Sequence, residues 1–297
     1  MRLDDLDDGN LDSDVNANYQ RGGRGGFGFP GGGSALGGRS LGCGGIVVLL
    51  VAALIFGVNP SDLVGGGQVA PSAQVQQAGA GQTGDANAVC QSNQATRFSC
   101  LVLKSTNLTW EKEFTDGGYR KPRIEFYDRN GQSGCGAAQS AMGPFYCPAD
   151  ESIYIDTTFY DELAQRFGAA GDFAQAYVIA HEVGHHLQKL TGIADKVQQA
   201  QASASKVQGN QLQVAMELQA DCYAGVWAAK NAQRMDPGDV EEGLRAAHQI
   251  GDDVLQRASQ GVVVEAAFTH GSAAQRMEWL KRGLQSGNPD QCNTFGR

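Results

Sequence analysis

The feature that most limits what this chain can fold into is a stretch of about eighteen residues without a charged side chain, residues 41–58. An apolar stretch of this length is close to the shortest helix that spans a bilayer. Glycine-rich polar sequences flank it and offer no apolar surface for packing. A charged tail of about forty residues precedes it. This tail is too long to be the n-region of a cleaved signal peptide. The sequence therefore predicts a single, uncleaved transmembrane helix.

The charges beside this stretch predict its orientation. Arg21, Arg24 and Arg39 precede it, and no lysine or arginine follows until Arg97. Because positively charged flanks stay in the cytoplasm, we expect a cytoplasmic N-terminus and export of everything after residue 58.

Composition divides the chain into four regions. Residues 1–40 are acidic and then rich in glycine and arginine, and we expect a disordered cytoplasmic tail because they contain little apolar surface. Residues 41–58 are the predicted anchor, residues 59–88 a flexible linker, and residues 89–297 the globular domain. The net charge of −9, without a cluster of lysine or arginine, argues against a nucleic-acid partner.

Cysteine usage agrees with export of the domain. All but one of the seven cysteines follow the predicted anchor, and an even exported set is typical of disulfides in an oxidising compartment. The sequence does not choose among the many possible connectivities. Our expectation is the pairing of nearest neighbours, Cys90–Cys100, Cys135–Cys147 and Cys222–Cys292. A structural zinc site is the alternative, but no C-x-x-C spacing supports it.

Hydrophobic and capping patterns predict an α+β domain that is mainly helical. Residues 122–127 are expected to form a strand, and residues 144–147 and 152–156 a hairpin. The longest predicted helices cover residues 172–190, with Asp172 as N-cap, and residues 211–234. Shorter predicted helices cover residues 106–115, 159–167, 236–250 and 272–287, the last with Ser272 as N-cap.

The predicted helix over residues 172–190 contains the sequence His-Glu-Val-Gly-His. His181 and His185 are four residues apart, so a helix presents both imidazoles on one face, where they can bind one zinc ion. Glu182 lies beside them and is the candidate general base for a water molecule on that ion. The alternative is an amphipathic surface helix with two unconnected histidines.

A catalytic zinc ion needs a third protein ligand and an open position. A nearby third histidine is excluded, because Gln188 and Thr191 occupy the positions of glycine and histidine in that template. Glu217 and Asp221 are four residues apart on another predicted helix. We expect Glu217 to bind zinc and Asp221 to accept a hydrogen bond from His181. The reserve candidates for the third ligand are Glu241 and Glu242.

Further residues complete these hypotheses. His270 is a candidate donor to an oxyanion, with a structural histidine beside a helix N-terminus as the alternative. Tyr223 and Tyr154 are weaker candidates for the same role. His186 points about 100° away from His185 and is expected to be a core contact. Residues 152–156 are a candidate edge strand for an extended peptide.

These motifs resemble those of a bacterial family of neutral zinc metallopeptidases, the YpfJ-type proteins. The matching segments are GDFAQAYVIAHEVGHHLQ (residues 171–188), ELQADCYAGVWA (217–228) and FTHGSAAQRMEWLKRG (268–283). The chain is also similar to the gluzincins, which combine H-E-x-x-H with a later glutamate ligand. The resemblance covers residues 89–297 together with the tail and anchor. It implies a zincin-like catalytic domain that hydrolyses peptide bonds, after a single N-terminal transmembrane helix.

The expected protein is thus a membrane-anchored zinc metallopeptidase acting on an unidentified peptide or protein. Its expected location is the bacterial inner (cell) membrane, with the catalytic domain periplasmic or extracellular. Two alternatives stay open: an inactive zinc-binding module of the cell envelope, and a zinc amidase acting on cell-wall peptides. The presence of Glu182 favours an enzyme over a binding module, because binding alone needs no base.

Overall fold

The computed structural model describes residues 1–7, 11, 14–20, 85–115, 117–167 and 171–296. Its strands are β1 (Asn16–Gln20), β2 (Arg123–Tyr127), β3 (Asn130–Ser133), β4 (Gly136–Gln139), β5 (Phe145–Cys147) and β6 (Ser152–Asp156). Its helices are α1 (Ala86–Cys90), α2 (Gln94–Glu113), α3 (Phe159–Phe167), α4 (Asp172–Leu190), α5 (Ile193–Ser203), α6 (Lys206–Lys230), α7 (Asp239–Gln249), α8 (Asp252–Gln260) and α9 (Ala273–Ser286). Helix predominates over strand, which confirms the prediction of a mainly helical α+β domain.

The main sheet of the described chain has the strand order β1-β2-β6-β5. β1 and β6 run parallel to β2, and β5 runs antiparallel to β6. Ile124, Phe126, Ile153 and Ile155 are fully buried, as expected for central strands that are covered on both faces. β5 pairs with one side of β6, as the predicted hairpin implies. The prediction that residues 152–156 form an edge strand is wrong, because β2 pairs with the other side. Among the described residues, no further strand pairs with the outer side of β5.

The N-terminal segment is part of this fold. β1 pairs with β2 over its whole length, from Asn16 opposite Arg123 to Gln20 opposite Tyr127. Leu3 is 4 % exposed and packs in the main hydrophobic core together with Met1, Leu6, Leu11, Val15 and Ala17. The expectation of a disordered tail over residues 1–40 does not hold for the described residues among them. The prediction relied on the acidic composition and overlooked the apolar side chains of this segment, which pack into the core of the domain.

Charged groups also bind this segment to the domain. The α-ammonium group of Met1 lies 2.7 Å from a carboxylate oxygen of Asp172 and 3.2 Å from one of Asp239. The buried ammonium group of Lys104 lies 3.1 Å from the carboxylate of Asp14. The expected topology would put these partners on opposite sides of a membrane, so it does not agree with these contacts.

The predicted transmembrane helix over residues 41–58 lies outside the described residues. Residues 59–84 of the predicted linker lie outside them as well. In the part of the chain that is described, no helix is both long and apolar enough to cross a membrane. The domain starts earlier than the predicted residue 89, because the Asp85 side chain caps α1.

Helix predictions close to the H-E-x-x-H sequence agree with the structure. α4 has the predicted limits, although Gly171 is its N-cap and Asp172 its first helical residue. α6 begins directly after its N-cap Ser205, so the polar residues before the predicted start at 211 are helical as well. α9 begins after Ser272, whose hydroxyl caps the helix as predicted.

Close backbone contacts fix the arrangement of α4, α6 and α9. A Cβ atom on Gly184 of α4 would lie 2.8 Å from the Cα atom of Ala220 on α6. A Cβ atom on Gly283 of α9 would lie 2.0 Å from the carbonyl oxygen of Cys222 on α6. Only glycine fits at both crossings, so the three helices meet nearly backbone to backbone.

Three cysteine pairs are within bonding distance, with sulfur–sulfur separations of 2.03, 2.08 and 2.02 Å. They are Cys90–Cys100, Cys135–Cys147 and Cys222–Cys292, which confirms the predicted pairing of nearest neighbours. The third disulfide ties the C-terminal tail to α6, directly beside Asp221.

Truncation of a buried N-terminal leucine is expected to destabilise the whole domain. Leu3→Ala should lower the free energy of unfolding of the full chain by about 2–5 kcal/mol, because it leaves a cavity in the core. Val207→Ala removes a side chain that is 44 % exposed and should change it by less than about 0.5 kcal/mol. Urea unfolding measures both. Equal midpoints for Leu3→Ala and the unmodified chain would show that the segment does not stabilise the domain.

Candidate active site

The two helices that cross at Gly184 bring together three side chains of the types that can bind a metal ion. Nε2 of His181 lies 3.1 Å from a carboxylate oxygen of Glu217, and Nε2 of His185 lies 3.5 Å from the same oxygen. Ligands of a tetrahedral zinc ion with bonds of about 2.1 Å are about 3.4 Å apart. The donor chemistry and the spacing of this set therefore fit a zinc ion, and the three residues could hold one.

The second nitrogen of each imidazole has its own acceptor. Nδ1 of His181 donates to Oδ1 of Asp221 over 2.8 Å, the contact expected from the sequence. Nδ1 of His185 donates to Oε1 of Gln188 over 2.9 Å. Because Nδ1 is the donor in both rings, each Nε2 is left to bind a cation. Gln188 appeared in the sequence only as a mismatch to another template, and its position three residues after His185 was the available signal.

Glu217 is buried and ionised. Nε2 of Gln213, one turn earlier on α6, donates to its second oxygen over 2.9 Å. Burial alone would raise the pKa of Glu217, but His185, His270 and His181 outweigh burial and hold it well below its usual range. Glu217 therefore offers an ionised carboxylate to a cation.

Glu182 occupies a less favourable electrostatic position. Its side chain is buried and lines the same cleft as the two histidines. Burial raises the pKa of Glu182, with His181 and His185 acting against it. The backbone N–H of Tyr146, in β5, also acts to lower the pKa of Glu182. A carboxylate whose pKa is raised towards the operating pH is better suited to accept and return a proton than an exposed one.

A cleft of about 300 Å³ opens in front of these residues. Its walls are mainly apolar, and its polar groups converge on one side, as in many small-molecule and peptide sites. Apolar side chains of the wall include Met142, Phe145, Phe159, Val178, Met216 and Leu255.

His270 also lines this cleft, held there by Asp252. Oδ2 of Asp252 accepts hydrogen bonds from the backbone N–H groups of Thr269, His270 and Gly271, at 2.7, 2.7 and 3.0 Å. Its other oxygen lies 3.5 Å from Nδ1 of His270. Burial lowers the pKa of His270, but Glu217 and Asp252 outweigh burial and raise it. No local sequence pattern singled out Asp252.

Other residues singled out in the sequence lie elsewhere. The Tyr154 hydroxyl donates to Asp150, away from the cleft. Tyr223 packs against Trp110 on α2. Glu242 accepts a hydrogen bond from the N–H group of Phe173 at the start of α4, and Glu241 is exposed.

His186 is fully buried, as expected. Its Nε2 donates to the carbonyl oxygen of Arg120 over 2.6 Å, so its Nδ1 accepts the hydrogen bond from the hydroxyl group of Tyr146. This contact holds the Tyr146 side chain against α4.

Comparisons with known proteins agree with these motifs. A family model described as "Putative neutral zinc metallopeptidase" matches residues 8–295. The Escherichia coli K12 protein named "Uncharacterized protein YpfJ" is 47% identical over 274 residues, which cover 90% of this chain and 93% of that protein. The Mycobacterium tuberculosis protein named "Uncharacterized protein Rv2575" is 40% identical over 219 residues, 68% of this chain and 72% of its own length. No solved structure matches the chain.

Zinc binding is expected to release protons at neutral pH. Burial lowers the pKa of His181, but Asp221 and Glu217 outweigh burial and raise it to about 10, so the metal-free imidazole is protonated at pH 7. Since zinc must displace this proton, its apparent affinity should rise with pH over about pH 6–9. Calorimetry in buffers of different protonation enthalpy should detect about one proton or more released per zinc ion. His248→Ala, an exposed histidine on α7, should behave like the unmodified chain. A pH-independent affinity would contradict the prediction.

Proposed function

Because this chain belongs to the family of neutral zinc metallopeptidases, we propose that it hydrolyses peptide bonds with a zinc ion held by His181, His185 and Glu217. The observation that carries this proposal is the convergence of two Nε2 atoms from α4 and a buried carboxylate from α6. A second carboxylate, Glu182, lies beside this set within one cleft.

The reaction follows from the residues around the cleft. When bound, zinc supplies a Lewis acid that polarises the peptide carbonyl and acidifies a water molecule. Glu182 is the general base, which takes a proton from the attacking water and delivers it to the leaving amine. The raised pKa of Glu182, caused by burial, brings its proton affinity closer to what both transfers need.

His270 is the proposed donor to the oxyanion that develops on the peptide carbonyl. Its raised pKa, to which Glu217 and Asp252 contribute against burial, favours the protonated ring that can donate. The three backbone hydrogen bonds to Asp252 hold the loop that carries it. A donor placed in advance needs no rearrangement when charge develops.

The substrate is expected to be an extended peptide. β5 lies beside the cleft, and Phe145 and Tyr146 contribute to its lining. An extended peptide bound along β5 would place its alternate side chains towards the apolar walls. These walls favour a bulky apolar side chain next to the cleaved bond. A zinc amidase acting on cell-wall peptides would use the same zinc site and the same base. Only the identity of the substrate separates this alternative from a peptidase.

The three disulfides support action in an oxidising compartment, outside the cytoplasm. Residues 1–20 would share that compartment, because β1 and the ion pairs of Met1 and Asp14 bind them to the domain. A single membrane span over residues 41–58 would separate residues 1–20 from the domain, so this proposal and the predicted single-pass anchor exclude each other.

Glu182→Gln is expected to abolish most of the hydrolysis while leaving zinc in place. The amide keeps the size of the side chain but takes up no proton, so turnover of casein or of a peptide library should fall about 10²–10⁴-fold. Glu265→Gln, exposed and outside the cleft, is the matched control. Zinc content measured by atomic emission should be the same in all three proteins. Undiminished activity in Glu182→Gln would exclude the mechanism, and a zinc-loaded chain without turnover on any substrate would favour the binding module.

His270→Ala should reduce kcat about 10²–10³-fold with a smaller change in KM, because an oxyanion donor acts mainly in the transition state. His270→Gln, which keeps a donor, should recover part of the loss. His248→Ala is the control for a histidine outside the cleft. A lower melting temperature at unchanged kcat would instead assign His270 the structural role that the sequence left open.

A further inference from the structure

We propose that Arg276, on α9, positions the zinc ligand His181 by fixing the carboxylate of Asp221 between them. Arg276 lies outside both the H-E-x-x-H sequence and the segment that carries Glu217 and Asp221. The inference rests on the proposed role of His181 in binding zinc. It assigns to the C-terminal helix a part in metal binding.

Arg276 and Asp221 form a buried two-point contact. Nε of Arg276 lies 2.8 Å from Oδ2 of Asp221, and Nη2 lies 2.9 Å from Oδ1. The side chains are 3 % and 0 % exposed. Two parallel hydrogen bonds from a planar guanidinium group fix the plane of a carboxylate, which a single hydrogen bond does not. Asp221 therefore has one orientation available.

That orientation is the one His181 needs. Oδ1 of Asp221 accepts from Nδ1 of His181 over 2.8 Å and from the hydroxyl group of Tyr177 over 2.5 Å. Nη2 of Arg276 also lies 3.2 Å from the Tyr177 oxygen, which closes a ring of hydrogen bonds. A carboxylate that rotated away would release the imidazole, whose Nε2 would then no longer face Glu217 consistently.

The backbone holds Arg276 in place for this contact. α9 crosses α6 at Gly283, where a Cβ atom would lie 2.0 Å from the carbonyl oxygen of Cys222. Cys222 directly follows Asp221. The crossing therefore sets the distance between α9, which carries Arg276, and the part of α6 that carries Asp221. Nη1 of Arg276 lies 3.4 Å from the carbonyl oxygen of Ile250, which occupies a further donor.

The experiment compares zinc affinity in full-length variants. Arg276→Met removes the charge and both donors but keeps an unbranched side chain, and Arg276→Lys keeps the charge but cannot bind both oxygens. The control is Arg282→Met, on the same helix, whose side chain is 26% exposed and pairs with Glu278. The zinc dissociation constant is measured by competition with a chelator, well below the melting temperature of each variant.

We expect Arg276→Met to bind zinc about 10-fold or more weakly, Arg276→Lys to be intermediate, and Arg282→Met to be unchanged. In zinc-loaded protein labelled with ¹⁵N-histidine, the Nδ1 proton of His181 should exchange with solvent faster in Arg276→Met. In an Asp221→Asn background, Arg276→Met should weaken zinc binding little further, because no carboxylate is left to fix.

Other outcomes overturn the inference. An Arg276→Met protein with a lower melting temperature, but with unchanged zinc affinity and proton exchange, would limit Arg276 to helix packing. If that variant does not fold, Arg276→Lys decides, and zinc binding equal to that of the unmodified chain rejects the proposal. Absence of zinc binding in the unmodified chain would instead remove the proposed function, and this inference with it.

Discussion

The site depends on one close contact between helices, that of Gly184 on α4 with Ala220 on α6. Because glycine has no side chain, the helices approach until His181 and His185 on one reach Glu217 on the other. A side chain at this crossing would separate the three donor groups, and no rearrangement of their rotamers alone would restore a common point. Packing of the two helices thus sets the arrangement of the three donor groups on which the proposed zinc site depends.

Around this contact, hydrogen bonds orient nearly every polar group that faces the cleft. Gln188 and Asp221 accept hydrogen bonds from Nδ1 of the two histidines, and the backbone N–H group of Tyr146 helps to lower the pKa of Glu182. These partners come from separate parts of the chain: α4 itself, α6 and the edge strand β5. Asp252 on α8 does the same for the loop before α9. Hydrogen bonds therefore orient the polar side of the cleft, and the apolar walls are left to contact a substrate.

What could be read from the sequence was local. The spacing of His181 and His185 and the limits of α4 follow from helical periodicity. Glu217 was predicted because catalytic zinc requires a third protein ligand, and the structure brings it close to both histidines. Contacts between distant segments carry no such spacing. Nothing in the sequence indicated that Arg276 would reach Asp221, or that β2 would pair with residues 152–156 on the side away from β5. The first twenty residues were misjudged because overall acidity outweighed a few irregularly spaced leucines that long-range packing buries.

The pairing of β1 with β2 has a practical consequence for anyone producing this protein. A recombinant fragment trimmed to the region after residue 58 would look reasonable by composition. It would, however, leave the backbone of β2 without its neighbour from Arg123 to Tyr127. Bare strand edges recruit other chains, so such a fragment would tend to aggregate for reasons unrelated to its catalytic groups. Expression designs should keep the first twenty residues joined to the rest.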